Sequence, residues 1–549
     1  MTLTEISVQT TQPCSKLSSL VQESGVERKE TVSSLESQET EPKTTASHNE
    51  TRTGQGSENI ILTEEDCAGI LATAWSTWKK WKVLTIIFLV QTSMNFNTSL
   101  YANGQNGIFR EFGVDPQAAV SGAAVFLITY AFGCELWAPW SEEFGRKTVL
   151  QASLILVNIC CIPVALAHVY QYFPAILLGR AFGGLFSAGG SVTLGMVADM
   201  FTTDEQEYPL AFIVLSSVGG SILGPIIGGY VEENLHWTWT IWIQLIFGVF
   251  VQVLHLFEVP ETRPAVMIAE HARELRRSGE RPNVYGLDEL KTVKERLVLG
   301  EVLSLWARPF KMLARERIVL ILSALSGFSD ALVFMQIQSF SRVFKLWNFS
   351  TIQVGLAFIP IGVAYLLGYV LFIPVIRRNK VLRANNPVSE NAQYESRLWM
   401  LLFTAPCLPI GMLIFAWTST STAHWIAPMV GWVFIGVANY SIYLTTIDYM
   451  VAAYGPYSAS ATGGNGFSRD ILAGVLTWAA GPYYDAFSFD YGLQIANTIL
   501  AAISLVLMVA AVLVYFHGSS MRKNSPFAQS LTQINGNTRS IVLPPAIVI

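Results

Sequence analysis

The chain has 549 residues, of which 51% are hydrophobic and only 14% charged, with a formal net charge of −5. So few charges exclude an ordinary soluble enzyme, and their spread over tails and loops leaves no concentrated basic surface for nucleic acid. What remains is an all-α membrane protein that crosses the bilayer many times.

Residues 1–75 are rich in Ser, Thr, Glu and Gln and cannot bury enough apolar surface to offset ordering entropy, so a disordered cytosolic tail is expected there. Met1 does not open a charged and then apolar leader, and insertion is expected to use an internal span. Trp75, Trp78 and Trp81, interleaved with Lys79, Lys80 and Lys82, predict an interfacial helix ahead of the first crossing. Apolar runs able to cross about 30 Å of hydrocarbon follow at 83–104, 118–140, 149–169, 173–200, 209–231, 238–258, 317–341, 351–376, 398–418, 424–450, 458–482 and 493–516. These twelve are divided six and six by a polar segment. The division predicts an N-terminal bundle over 76–260, a cytosolic central loop over 261–315, a C-terminal bundle over 316–517 and a cytosolic tail over 518–549. Arg146, Lys147, Arg263, Arg377, Arg378, Lys380, Arg383, Arg522 and Lys523 fall on one side of that topology, which places both termini in the cytosol. The six cysteines show no paired spacing and no ligand pattern with His, so neither a disulfide framework nor a metal site is expected.

Glu135, in the second crossing, stands two helical turns before Glu142 and deep enough to lose water; a carboxyl so placed can alternate between protonated and ionised forms. The following loop reads APWSEEFGRKTVL, where Glu142, Gly145, Arg146 and Lys147 can form a charge latch. Arg180, inside the fourth crossing, costs roughly 2.5–3.5 kcal/mol on insertion scales and should face the bundle interior. From Ser216 to Tyr230 the chain runs SSVGGSILGPIIGGY, a sequence no exposed helix would tolerate, since Gly and Pro cost roughly 1 and 3 kcal/mol there. Gly220, Gly224 and Gly228 share one face for close helix approach, and Pro225 removes the N–H that would bond the Ser221 carbonyl. Asp330 sits near the middle of the seventh crossing, a second candidate proton carrier, and Asp470 beside Arg469 reads as a local ion pair.

Ala211, Gly220, Gly224, Pro225, Gly228 and Gly229 fall on the pattern G-x8-G-x3-GP-x2-GG, the fifth-helix signature of proton-driven exporters, with Ala211 replacing the first glycine. Over about residues 80–518 the chain thereby resembles the twelve-span drug:proton antiporters of fungi in the major facilitator superfamily. The loop from Ala138 to Leu150 is similar to that family's loop motif, with Glu142 in place of Asp. Arg180, Gly183 and Gly184 match its R-x-x-q-G pattern, and the resemblance ties Arg180 to proton transfer through a partner carboxylate. Glu135 and Asp330 are the acids named for that role, although the family commonly has uncharged residues at both places. Tyr449, Tyr454, Asn465, Phe467 and Arg469 match the antiporters' segment around the tenth and eleventh helices, and Asp448 with Arg469 is expected to join the cytosolic latch.

The resemblance implies a major facilitator fold of twelve transmembrane helices in two six-helix bundles, with a midplane cavity lined by the first, fourth, seventh and tenth helices. Asn95, Asn97, Tyr101, Phe186, Gln336, Gln338, Asn439, Tyr440 and Tyr443 supply amides and rings on those helices for an amphiphilic organic substrate. The expected function is export of a drug, toxin or secondary metabolite against protons, by a monomer without a cofactor, most simply in the plasma membrane. An importer of an organic acid or biosynthetic intermediate in a vacuolar or peroxisomal membrane, or a non-transporting sensor on the same fold, are the alternatives. No nucleophile elbow or phosphate loop points to an enzyme.

Overall fold

The computed structural model describes residues 60–525 and 527, apart from 188, 203–204, 287–288, 290–298, 388 and 489–490. Most of the expected N-terminal tail, and the C-terminal tail beyond 527, lie outside the described residues.

Six crossings form the first half: α1 (Thr77–Phe112), α2 (Pro116–Glu143), α3 (Arg146–Tyr170), the pair α4 (Phe173–Phe186) and α5 (Gly189–Met200), α6 (Glu207–Asn234) and α7 (Thr238–Glu258). A connecting segment follows with α8 (Pro264–Ser278) and α9 (Leu299–Arg315). The second half holds α10 (Arg317–Phe344), the pair α11 (Thr351–Leu356) and α12 (Ile359–Asn385), a crossing over Glu395–Thr418 that ends in α13 (Cys407–Thr418), α14 (Ile426–Tyr454), α15 (Ser458–Ala486) and α16 (Gly492–Lys523). Eleven of these crossings are long and apolar enough to span a bilayer. The remaining crossing, α15, is 29 residues long but carries Arg469, Asp470 and many small polar residues, which only a helix shielded by its neighbours tolerates. The alternation of direction puts the start of α1, the connecting segment and the end of α16 on one face, called the terminal face below; the opposite face is the distal face.

Local chemistry sets the ends. Asp115 accepts from the Gln117 N–H at 3.0 Å just before Pro116, so α2 starts on a capping acid and an N-terminal proline. Ser350 and Gln353 form a reciprocal capping box at the start of α11. Phe250, Phe257, Val506 and Phe516 lie exposed on the outer surface, the apolar covering that lipid requires.

The three glycines of α6 all turn toward α1. A Cβ added at Gly220 would meet the Thr92 carbonyl at 2.7 Å, one at Gly224 would meet the Leu100 N at 2.6 Å, and Gly228 abuts Asn103. Gly229 points to the second half, 2.9 Å from the Thr351 carbonyl by the same measure. Tyr440 of α14 also crosses the seam, donating to the Ala211 carbonyl at 2.9 Å. The signature stretch is therefore the joint between two helices of one half and between the halves.

Three sequence expectations change here. The stretch expected to be disordered through residue 75 is ordered from Ile60: β1 (Ile60–Leu62) pairs in parallel with β2 (Val284–Gly286). Leu62, Cys67 and Leu71 bury against Ile268, Ala272 and Val284, a small core that a composition average over the whole tail conceals. The Trp/Lys stretch is not a separate interfacial helix, because α1 runs unbroken from Thr77, capped by Ser76. Finally, α16 continues past 517 to Lys523, since Arg522 is buried against Glu395 and Tyr449.

Candidate functional site

A cavity of about 270 Å³ lies between the halves. Its inner wall is Cys134 and Glu135 of α2, Gly190 and Ser191 of α5, Tyr443 of α14, and Arg469 and Asp470 of α15. It reaches the terminal face at Glu142, Arg146, Asp199, Gln206 and Arg263. At the distal face the halves are joined: the Ile352 N–H donates to Glu233 at 3.0 Å, and Gln117 donates to the Trp478 carbonyl. The conformation is thus closed on the distal side and accessible from the terminal side.

In the fourth crossing α4 ends at Phe186 with Ser187 extended, and Gly190 and Ser191 of α5 line the cavity. Broken helices at a midplane site free backbone groups for a ligand.

Arg469 organises the deep end. It is about three turns into α15, buried, with its guanidinium 4.2 Å from the Tyr443 ring centroid. Asp330 of α10 lies 3.6 Å from its Nε, and Asp470 lies 3.5 Å from its Nη2. Among the described residues its Nε and Nη1 form no hydrogen bond, so Asp330 meets it at ion-pair distance only. Glu135 is likewise buried, and its carboxylate lies against Gly463 of α15, 2.7 Å from where a Cβ would stand. Two carboxylates of the second half, Asp330 and Asp470, thus share one buried cation, and Glu135 of the first half lines the same cavity as Arg469 and Asp470.

The partner expected of Arg180 is not an acid. Among the described residues, Arg180 donates to the Asn97 side chain at 2.6 Å and to the Asn97 and Gly122 carbonyls at 3.2 Å, between the rings of Tyr101 and Phe126. The carboxylate contact expected of this arginine belongs to Arg469. By the same token Arg469 does not sit at the mouth with Asp448, because α15 carries it inward; Asp448 pairs with Arg397 at 2.5 Å.

The mouth holds two charge networks. In the first, Arg146 bonds Asp199 at 3.0 Å and Ser141 at 2.7 Å, while Glu142 is 3.8 Å away and Arg263 reaches Asp199 at 3.7 Å. Gly145 sits at φ +94°, a backbone that favours glycine, and a side chain there would collide with Glu261. Glu261 accepts from the backbone N–H groups of Arg146 (2.9 Å), Lys147 (3.1 Å), Thr262 (2.9 Å) and Arg263 (2.9 Å), capping α3 from outside it. In the second network, Glu207 at the start of α6 binds Arg383 of α12 and lies 3.4 Å from Arg397. Glu207 is the first-half member of a bridge that ties α6 to α12 beside the mouth. Sequence reasoning missed Asp199, Glu207 and Glu261; the local sign of Glu261 is its place in VPETR (Val259–Arg263), just past the end of α7.

Of the nine residues expected to contact substrate, Tyr443 lines the cavity. Asn97 and Tyr101 serve Arg180, and the Tyr101 hydroxyl donates to the Ala119 carbonyl at 3.0 Å. Asn95 bonds its own helix at the Gln91 carbonyl, Gln336 donates to Tyr484 at 2.9 Å and to Asn497 at 3.1 Å, and Asn439 donates to Ser329 at 3.1 Å. Tyr440 holds Ala211 across the seam, Phe186 ends α4, and Gln338 is half-buried on α10.

A further group comes together that spacing did not reveal: Glu111, His168 and His236 converge on the distal face, where the sequence reading expected no metal ligands.

The Major Facilitator Superfamily profile matches residues 84–477. The transporter paaT of Penicillium rubens is 30% identical over 461 residues, covering 83% of this chain and 81% of that one. The MFS-type transporter oryN of Aspergillus oryzae is 29% identical over 437 residues, 78% of this chain and 83% of its own. Among solved structures, the proton:xylose symporter XylE bound to 6-bromo-6-deoxy-D-glucose aligns with a TM-score of 0.57 at 15% identity, over 79% of this chain and 95% of that chain. The human organic anion transporter MFSD10 aligns with a TM-score of 0.50 at 17% identity, over 79% and 99% of the two chains.

Proposed function

The chain belongs to the Major Facilitator Superfamily, and on that premise we propose that it is a proton-coupled exporter of small organic compounds, a drug, toxin or secondary metabolite, working by alternating access. The observation that carries this reading is the buried group at the deep end of the cavity, where Arg469 pairs with Asp330 and Asp470 and Glu135 of the other half lines the same wall. A low-dielectric interior does not hold three carboxylates against one guanidinium, so protons complete the neutralisation, and water reaches them from whichever face is open. Glu135 belongs to one half and Asp330 and Asp470 to the other. Rocking the halves alters how closely Glu135 approaches Asp470 and Arg469, which links proton occupancy to conformation.

Arg146, Lys147, Arg263 and the other cations of the terminal face orient that face toward the cytosol. The conformation described is then inward-facing, ready to load substrate from the cytosol. Cys134, Ser191 and Tyr443 offer an amphiphilic molecule a mixed polar and aromatic wall. One chain contains both halves, so a monomer has a complete site, and the plasma membrane is the destination that suits export.

The test is flux in reconstituted vesicles with an imposed pH gradient, using a panel of amphiphilic compounds. Export predicts accumulation that rises with the gradient and collapses with a protonophore. Flux indifferent to the gradient removes proton coupling, and ligand binding without flux points to a sensor.

A further inference from the structure

Glu111 at the end of α1, His168 near the end of α3 and His236 in the turn before α7 meet on the distal face, though 57 and 68 residues separate the successive members. His168 Nδ1 contacts one carboxylate oxygen of Glu111, and His236 Nε2 lies 3.2 Å from the other. The two imidazoles lie side by side with ring centroids 4.6 Å apart. Both rings are about half exposed, while Glu111 is mostly enclosed and held from behind by Gln171 Nε2 at 2.9 Å and by the Trp237 indole N–H.

We propose that Glu111, His168 and His236 form a divalent-metal site selective for Zn²⁺. Two imidazoles and one carboxylate are a three-ligand set that zinc accepts, with the fourth position left to water. One ligating atom from each residue already lies within 4.8 Å of the others. A tetrahedral site with bonds of about 2.0–2.2 Å needs ligand atoms about 3.4 Å apart, a closure that the exposed rings supply by side-chain rotation. Gln171 and Trp237 do for Glu111 what outer-shell partners do in metal sites, fixing the ligand before the ion arrives.

The position gives the ion something to do. All three ligands line a vestibule of about 760 Å³ whose other wall includes Ser341, Lys345, Phe349 and Thr351 of the second half. Zinc there ties together three elements of the first half and adds positive charge to the mouth through which the distal side opens.

The experiment uses the purified full-length protein, zinc alone as probe and a chromophoric chelator as competitor. One zinc bound per chain is expected, weakened about tenfold or more in His168→Gln and His236→Gln. Glu111→Gln, which keeps the shape and can still accept from Trp237, should weaken it likewise. His424→Gln, an exposed histidine on the same face with no acid beside it, should leave affinity unchanged, and Ca²⁺ should not compete. If one of the three variants does not fold, the other two carry the test. Zinc affinity equal to that of the parent chain in the variants that fold, or no zinc bound by the parent chain, overturns the proposal and leaves a hydrogen-bonded triad.

Discussion

Arg469 of the eleventh crossing and Asp330 of the seventh lie 3.6 Å apart in the buried interior, close enough to attract and too far to hydrogen-bond. A loose pair of this kind keeps both members available to other partners, here Asp470 at 3.5 Å and the cavity that Glu135 also lines. Asp330→Asn retains the shape and removes one negative charge from the set. Substrate binding is expected to persist within about threefold, while stimulation of flux by a pH gradient falls at least about tenfold, roughly 1.4 kcal/mol of lost coupling. Equal stimulation in Asp330→Asn and the parent chain would exclude Asp330 from coupling.

Glu207 is the acid between Arg383 and Arg397 on the terminal face. Glu207→Leu leaves two partly buried cations without their shared partner, and breaking such a pair costs about 3–5 kcal/mol. Thermal unfolding in detergent should show a clear loss of stability. Introduced labels on α6 and α12 should also report a wider terminal seam, and an unchanged seam distance would show that the bridge does not hold it.

Gly229 and Gly355 approach across the distal seam, with 3.4 Å between the Gly355 Cα and the point where a Gly229 Cβ would stand. Gly229→Leu drives a side chain into the Thr351 carbonyl and Gly355. The expected result is a shift toward the distal-open state, seen as faster labelling of a cysteine placed in the distal vestibule. By contrast Gly224→Leu wedges α6 from α1 within one half, so it should lower stability without that shift.

In the small terminal-face core β1 pairs with β2, and Glu289 ties β2 to α8 by accepting from Arg273 at 3.0 Å, from Arg276 and from the Gly286 N–H at 3.2 Å. Partial burial works to raise the Glu289 carboxyl, but the hydrogen bonds from Arg276, Gly286 and Arg273 outweigh it and bring it down to about 2 from 4.5. A folded value below the unfolded one contributes stability that is present above pH 4.5 and disappears as pH falls toward 2. Amide protection at Ile60–Leu62, corrected for intrinsic exchange, should hold at pH 5 and decline only in that acid window. In Glu289→Gln it should already be weak at pH 7, with buried Cys67 more open to a maleimide. Protection unaffected by this substitution would show that Glu289 does not secure the strand pair.

The crossings were legible because a bilayer demands about 20 consecutive apolar residues, and such runs announce themselves even around glycine-rich α6. The spacing of Gly220, Gly224 and Gly228 named a close-packed face in advance; their partner α1 is what the structure adds. Charge partners were not legible. Asp199 lies 53 residues from Arg146, and Glu261 lies 115 away, and nothing local distinguishes them from other loop acids. Glu135, Asp330 and Arg469 stood out as charges in apolar runs, but which cation serves which acid depends on helix rotation. That is why Arg180 was paired in expectation with an acid and in fact lies against Asn97.

The most direct test of the account follows the proton itself. Vesicles carrying an acidic lumen, a trapped pH-sensitive dye and inverted protein are given a transported compound from outside. Exchange of substrate for protons predicts that the lumen turns alkaline as substrate accumulates, in proportion to uptake, and that a Glu135→Gln, Asp330→Asn, Asp470→Asn triple variant that still binds the compound gives no such change. Substrate accumulation by the parent chain with no movement of lumenal pH would contradict it.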